Sequence, residues 1–223
     1  MLATIDGVLD WPALKQLRAA LADGAFVDGQ TTAGFRAKRV KHNEQLSPKA
    51  ADRKSLDDMI LNALRGHDDF QRLAFPKAIQ RPLFSRYGVG MNYGLHVDDA
   101  LMGKERRIRS DLSVTVFLNN PDDYDGGELE MMSAFGPQEV KLPAGSAVLY
   151  PSSTLHRVKP VAAGERLAAV TWVQSFIADP ARREILIDVD RMRRRLTSVD
   201  PDGEETDLAF KTYANLLRMW SDV

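Results

Sequence analysis

From about residue 82 to residue 177 the chain is a succession of short segments rich in Val, Leu, Thr, Tyr and Phe, punctuated at close intervals by turn residues. Candidate strands fall at 83–93, 111–118, 128–131, 146–150, 155–161 and 167–177. Between several of them lie Asn119-Asn120-Pro121, Asp125-Gly126-Gly127, Pro143-Ala144-Gly145 and Ala163-Gly164, residue types that favour turns through positive φ, a fixed φ or local side-chain hydrogen bonds. Many short strands at this spacing predict a sandwich or barrel-like pair of sheets rather than a parallel α/β sheet.

Helical patterns flank this stretch. Asp10 can cap a helix with Pro12 in its first turn, Trp11, Leu14, Leu17 and Leu21 on one face, and Gly24 at its end. Residues 28–45 are polar and irregular. Ser47-Pro48 reads as a second helix start, with Leu56, Met59, Ile60, Ala63 and Leu64 as the buried stripe and Gly66 as the stop. A short helix over 68–75 precedes Pro76. After Asp179-Pro180 an arginine-rich helix spans 181–196, a polar linker with Pro201 and Gly203 spans 197–205, and a last helix from Asp207 carries Leu208, Tyr213, Leu216, Leu217 and Trp220. The expected organisation is an N-terminal helical region (1–77), a β core (78–178) and a C-terminal helical extension (179–223), without internal repeats.

Composition excludes several classes of function. With 223 residues and 44% hydrophobic content the chain can bury a core of its own. Thirty Lys and Arg oppose thirty-one Asp and Glu, leaving no positive excess to neutralise a phosphate backbone, so no nucleic-acid partner is expected. The cluster Arg191, Arg193, Arg194 and Arg195 lies near Asp188 and Asp190 and reads as a solvated helix face. Cysteine is absent, which removes disulfides, thiolate metal sites and cysteine nucleophiles. The first residues lack the basic and apolar regions of a signal peptide, and no apolar run approaches the roughly 18–20 residues of a membrane span. A soluble cytoplasmic protein without membrane contact is the expectation.

The chain has four histidines, His42, His67, His96 and His156. The first two lie outside the β region in polar surroundings and read as surface residues. His96 and Asp98 form His-Val-Asp; in an extended segment residues i and i+2 project to one face, so both can reach one cation. His156 follows Tyr150-Pro151-Ser152-Ser153, where a strand restarts. If its strand neighbours that of His96, two imidazoles and one carboxylate form the facial triad of non-haem Fe(II) oxygenases, with three coordination positions open. On its own, His-x-Asp has little specificity and reads as a surface pair or a hydrogen-bonded histidine.

Arg166 adds a second constraint. It opens the segment Arg166-Leu167-Ala168-Ala169-Val170-Thr171-Trp172, whose alternating positions Ala168, Val170 and Trp172 are apolar. An arginine on the inward face of such a strand needs an anionic partner, and its planar fork matches a carboxylate. A dicarboxylate could chelate a metal at its keto-acid end and meet Arg166 at the other. The alternative is an outward arginine on an edge strand. Trp172 reads as a core residue, and Gly126 and Gly127 suit a bulge or a close backbone approach.

Longer segments carry a resemblance. They are Arg86-Tyr87, Gly90-Met91, Tyr93 and His96-Val97-Asp98; Arg109-Ser110-Asp111-Leu112-Ser113, Thr115 and Phe117-Leu118-Asn119; and Tyr124-Asp125-Gly126-Gly127-Glu128-Leu129. Further on come Gly145 to Ser153, Leu155-His156-Arg157-Val158, Pro160-Val161, Gly164-Glu165-Arg166 and Thr171-Trp172-Val173-Gln174-Ser175. Together they resemble the PKHD-type hydroxylases, a bacterial branch of the prolyl-4-hydroxylase-like Fe(II)/2-oxoglutarate dioxygenases. The likeness is dense over roughly residues 80 to 177 and shows no departure at the four key positions.

The resemblance implies an α+β fold, a double-stranded β-helix (jelly-roll, cupin-like) core flanked by N-terminal and C-terminal helices. It implies His96, Asp98 and His156 as iron ligands and Arg166 as the partner of the distal 2-oxoglutarate carboxylate, where related prolyl hydroxylases often have lysine. Tyr87 and Tyr93 precede the ligand pair and are candidates to contact 2-oxoglutarate or line the pocket; core aromatics are the other reading. The implied activity is O2-dependent hydroxylation of a small-molecule or peptide substrate, coupled to conversion of 2-oxoglutarate to succinate and CO2, with L-ascorbate keeping the iron reduced. The family's association with iron uptake points toward a siderophore or related molecule. Two other readings stay open: a non-catalytic iron-binding or sensor protein on the same fold, and a cupin-type enzyme without a keto acid, which usually supplies more histidines. The C-terminal helices are either a homo-oligomer contact or a cap over the barrel.

Overall fold

The computed structural model describes residues 1–32, 37–103 and 107–223. In chain order these form β1 (Ala3–Ile5), α1 (Trp11–Ala22), β2 (Phe26–Asp28), β3 (Lys41–His42), β4 (Glu44–Leu46), α2 (Arg53–Gly66), α3 (Asp68–Ala74) and β5 (Pro76–Ile79). The central strands are β6 (Leu83–Tyr87), β7 (Asn92–His96), β8 (Leu101–Met102), β9 (Ile108–Arg109), β10 (Leu112–Phe117), β11 (Tyr124–Gly126), β12 (Leu129–Ser133), β13 (Gly136–Val140), β14 (Ala147–Pro151), β15 (His156–Val158), β16 (Val161–Gly164) and β17 (Arg166–Ser175). Helices α4 (Pro180–Val199) and α5 (Glu204–Trp220) follow.

Two antiparallel sheets make the core. The larger has the order β1-β14-β10-β17-β6-β4-β2, with β5 also paired to β17; the smaller has the order β13-β12-β15-β7-β3. Strand β10 shows how residue type sorts the faces. All six of its residues are buried, as in a strand covered on both sides. Leu112, Val114 and Val116 pack with Leu14, Leu17 and Leu21 of α1, Leu56, Ile60 and Leu64 of α2 and Phe70 of α3. Ser113, Thr115 and Phe117 take the opposite face, where Phe117 joins Tyr87, Val148 and Tyr150 of the larger sheet against Leu129, Met131 and Val158 of the smaller. This is the double-stranded β-helix architecture, with helices on the outside of the larger sheet and polar side chains admitted to the interior between the sheets.

The C-terminal hairpin of α4 and α5 covers a separate cluster in which Phe75, Ile177 and Leu186 meet Tyr213, Leu216, Leu217 and Trp220. Asp179 caps α4 by accepting from the amides of Ala181 and Arg182, with Pro180 in the first turn. No described helix is long and apolar enough to cross a membrane.

Several expectations need correction. Asp10 caps α1 and Leu14, Leu17 and Leu21 are buried, but Trp11, the first residue of the helix, is 67% exposed and lies off the buried face. Ser47-Pro48 lies in a turn; α2 starts at Arg53 after Asp52, and Leu56, Ile60 and Leu64 carry its buried face while Met59 and Ala63 are partly buried. The irregular segment 28–45 holds β3 and part of β4, with residues 33–36 outside the described set. The candidate strand 83–93 divides into β6 and β7, and 155–161 divides into β15 and the start of β16. The polar linker between the last helices is only 200–203, because α4 continues to Val199 and α5 begins at Glu204.

Candidate metal centre

Strands β7 and β15 are neighbours, and His96 and His156 are direct partners across them. Opposed residues on antiparallel strands share a face, and the two imidazole centroids are 4.2 Å apart. Asp98 follows β7 two residues beyond His96 and turns its carboxylate to the same side. Its Oδ1 is 3.9 Å from His96 Nε2 and its Oδ2 is 3.9 Å from His156 Nε2. One ligand atom from each of the three lies within 4.8 Å of the others, a grouping able to hold a metal ion.

Both imidazoles are oriented by the same device. His96 Nδ1 is 2.8 Å from the carbonyl oxygen of Gly94, and His156 Nδ1 is 2.9 Å from that of Thr154. A carbonyl only accepts, so each Nδ1 carries the proton and each Nε2 turns a lone pair toward Asp98. Burial pushes the His96 pKa down to about 4, with His156 adding to the shift and the Gly94 carbonyl opposing it. The ring is therefore neutral at physiological pH, the form that ligates metals.

Aromatic rings and hydroxyls hold this group. Tyr93 stacks on His96 with centroids 3.6 Å apart, and Tyr150 meets His156 edge-on at 5.1 Å. Ser113 Oγ is 2.6 Å from Asp98 Oδ2 and 2.8 Å from Ser152 Oγ. The Lys41 ammonium is 5.2 Å from the Tyr93 ring centroid; burial lowers its pKa to about 8 against the attraction of Asp98 and Asp28.

Arg166 opens β17 opposite Tyr87 of β6. It is 1% exposed, and its guanidinium carbon is 5.2 Å and 5.4 Å from the Tyr87 and Phe117 ring centroids. Its Nε and Nη2 are buried without a hydrogen-bond partner. Such a cation is costly to bury unless an anion meets it, and its fork is shaped for a carboxylate. Tyr150 links this end to the histidines: burial raises its pKa well above the usual phenol value, Asp98 adds to the rise, and a bond from Thr115 and the charge of Arg166 oppose it. The unmatched donors of Arg166 at one end and the His-Asp-His group at the other fit a metal-chelating dicarboxylate.

Similarity to known proteins agrees with this arrangement. The sequence pattern of the 2OG-Fe(II) oxygenase superfamily matches residues 82–174, and that of the PKHD-type hydroxylase C-terminal domain matches residues 180–222. A PKHD-type hydroxylase of Synechococcus elongatus is 50% identical over 223 residues, covering the whole of both chains. The chain belongs to the PKHD-type hydroxylases. It is a 2-oxoglutarate- and Fe(II)-dependent oxygenase by family, and its fold recurs in distant prolyl hydroxylases. A Pseudomonas putida prolyl-4-hydroxylase superposes with a TM-score of 0.53 at 20% identity, covering 78% of this hydroxylase and 92% of that chain. A viral collagen prolyl hydroxylase from Paramecium Bursaria Chlorella virus-1, solved as a 2OG complex, gives a TM-score of 0.52 at 19% identity, covering 78% and 95%.

In this hydroxylase the other two histidines stay apart from the centre. His42 is exposed, while His67 is half-buried with Nε2 3.0 Å from the carbonyl oxygen of Asp6. The arginine cluster is not simply a solvated face. Arg193 and Arg194 both pair with the buried Asp190, and the Arg193 guanidinium lies 4.5 Å from the ring centroids of Phe210 and Tyr213, tying α4 to α5. Trp172 is buried on the interior face, opposite Ser113, with Nε1 unpartnered. The sequence assigns no part in the site to Ser113, Ser152, Tyr150, Lys41 or Tyr124.

Proposed function

We propose that His96, Asp98 and His156 hold ferrous iron and that Arg166 fixes the distal carboxylate of 2-oxoglutarate. What carries this reading is the pair of imidazoles held Nε2-inward around Asp98, in the same interior as a buried guanidinium whose Nε and Nη2 lack partners. When bound, the iron supplies the O2 chemistry that couples conversion of 2-oxoglutarate to succinate and CO2 with hydroxylation of the substrate.

The chain's own groups supply position. The carbonyls of Gly94 and Thr154 orient the ligand imidazoles, and Ser113 orients the carboxylate. Tyr87 and Tyr93 line the cosubstrate channel, Tyr87 against the guanidinium and Tyr93 against His96. The substrate is a small molecule or a peptide; the resemblance to the family adds a siderophore-like molecule linked to iron uptake as one such class, and ascorbate is the reductant that keeps the metal ferrous. Residues 78–178 carry the chemistry, with 179–223 as a cap over one end of the core.

Anaerobic titration with Fe(II) and then 2-oxoglutarate tests the site: a metal-to-ligand charge-transfer band is expected in the natural protein and lost in His96→Ala and Asp98→Ala. Succinate release on admitting O2 tests the activity. Iron binding without any succinate would make the protein a sensor or carrier instead.

A further inference from the structure

Helix α4 carries a second apolar face besides the one that covers the core. Its buried residues are Arg183, Leu186 and Asp190. On another side, Ile185, Val189, Met192, Leu196 and Val199 follow one another at intervals of four, three, four and three residues. This is the a/d spacing of a coiled-coil seam, which lines up along one side of a helix. The stripe is turned away from the fold: Ile185 is 47%, Met192 55% and Val199 69% exposed, and Val189 and Leu196 are half-buried. Among the described residues, none of the five joins any of the three hydrophobic clusters. A lone exposed apolar side chain is ordinary, but five in register along a 20-residue helix form a continuous patch.

The charges on its border indicate what fits against it. Asp188 and Arg195 each precede a stripe residue, Val189 and Leu196, so they flank the same edge; both are exposed. Two α4 helices laid antiparallel about a two-fold axis layer Ile185 on Leu196 of the second copy and Val189 on its Met192, each contact occurring twice. In that register Asp188 faces Arg195 of the second copy, and Arg195 faces its Asp188. The patch is therefore complementary to itself in apolar pattern and in charge. Asp188 is 3.5 Å from Arg191 in a solvent-open pair that is readily exchanged. A parallel alignment would instead set Asp188 against Arg193 of the second copy. That guanidinium already pairs with Asp190 and lies 4.5 Å from the ring centroids of Phe210 and Tyr213.

We propose that a second copy of this chain covers the stripe, forming a two-fold dimer through an antiparallel α4–α4 pair. One face of α4 caps the core and the other joins the copies. A single helix pair is small beside the roughly 1,200–2,000 Å² of a standard interface, so association depends on concentration, with a Kd on the order of micromolar.

Sedimentation of the full-length protein at low ionic strength, from about one to a hundred micromolar, tests the proposal. The natural chain should pass from monomer to dimer across this range, and a monomer throughout overturns the assignment. Met192→Lys should remain monomeric at unchanged Mn(II) affinity, which reports that the fold is intact; a dimer that survives this change has its contact elsewhere. Asp188→Arg and Arg195→Asp should each weaken the dimer about tenfold or more, by placing like charges opposite each other twice. The two changes combined should return the affinity to near its natural value. A double variant that stays dissociated overturns the antiparallel register, because parallel helices would leave both altered charges facing their own sign.

Discussion

The Ser113 hydroxyl donates to Oδ2 of Asp98 across 2.6 Å, and the Ser152 hydroxyl lies 2.8 Å behind it. A carboxylate accepts only, so Ser113 must spend its proton on Asp98 and can accept from Ser152 in turn. Both serines are buried, where a hydrogen bond to a charge is strong and a chain of hydroxyls reinforces it. The bond limits rotation of Asp98 and occupies one oxygen, which leaves the other for a cation. Ser113→Ala should weaken Mn(II) binding about tenfold without unfolding the protein, and Ser152→Ala should do less. Mn(II) titration followed by electron paramagnetic resonance measures both. Full affinity in Ser113→Ala would show that the hydroxyl does not hold the ligand.

Under the proposed role, Arg166 serves a ligand at the expense of the empty protein. Its Nε and Nη2 are buried and unpartnered, so an apolar side chain of similar length suits the unliganded interior better. Arg166→Met should raise the unfolding free energy of the metal-free protein by about 1–3 kcal/mol. The same change should weaken 2-oxoglutarate by roughly a hundredfold, while Mn(II) affinity barely moves. Thermal melts and binding titrations read the two effects separately. A destabilised Arg166→Met protein would mean that the guanidinium is satisfied within the fold.

His96 makes the metal-free protein acid-sensitive. In the folded state its pKa is about 4, below the 6.5 of an unperturbed imidazole, chiefly because it is buried. Between those values the unfolded chain binds the proton that the folded chain refuses, so lowering the pH favours unfolding. Stability should therefore fall as pH drops from about 6.5, with the loss levelling off near 4. Urea denaturation in the presence of a chelator, across that range, measures the slope. His96→Asn should flatten this part of the profile; an unaltered slope would assign the sensitivity to another group.

How much could be read beforehand depended on whether the signal was local. His96 and Asp98 sit two apart on an extended segment, so their shared direction follows from backbone geometry, whereas the alternating apolar partners of Arg166 leave an inward and an outward face both open until β17 is placed between β10 and β6. Ser113 and Ser152 gave no such signal, because a serine in a strand is read as neutral until its partner is known. Tyr124 stands just before the turn cluster Asp125-Gly126-Gly127, and only the return of β17 brings the Arg166 side chain near it. Strands β2, β3 and β4 have only two or three residues each; β3 and β4 are strands because β7 and β6 offer them edges, and β2 adds onto β4. Ser47-Pro48 has the composition of a helix start, but the Ser47 amide bonds to the carbonyl of Ala25, and the helix forms only after Asp52.

The paired glycines at the end of β11 should respond differently to the same substitution. Gly126 has φ +69° and Gly127 has φ +64°, so alanine at either strains the backbone by about 1–2 kcal/mol. Beyond that, a Cβ on Gly126 would stand 2.2 Å from the carbonyl oxygen of Pro160, an atom of the backbone that cannot move without disturbing the β11–β16 pair. A Cβ on Gly127 meets side chains instead, at 3.1 Å from both Arg166 and Tyr124. Gly126→Ala should accordingly cost stability, by about 3 kcal/mol or more, and leave the 2-oxoglutarate affinity of the folded fraction near its natural value. Gly127→Ala should lose less stability but displace the guanidinium, weakening 2-oxoglutarate severalfold at unchanged Mn(II) affinity. Denaturation curves paired with ligand titrations separate the two, and the reverse pattern would mean that the carboxylate pocket is bounded at Gly126 rather than at Gly127.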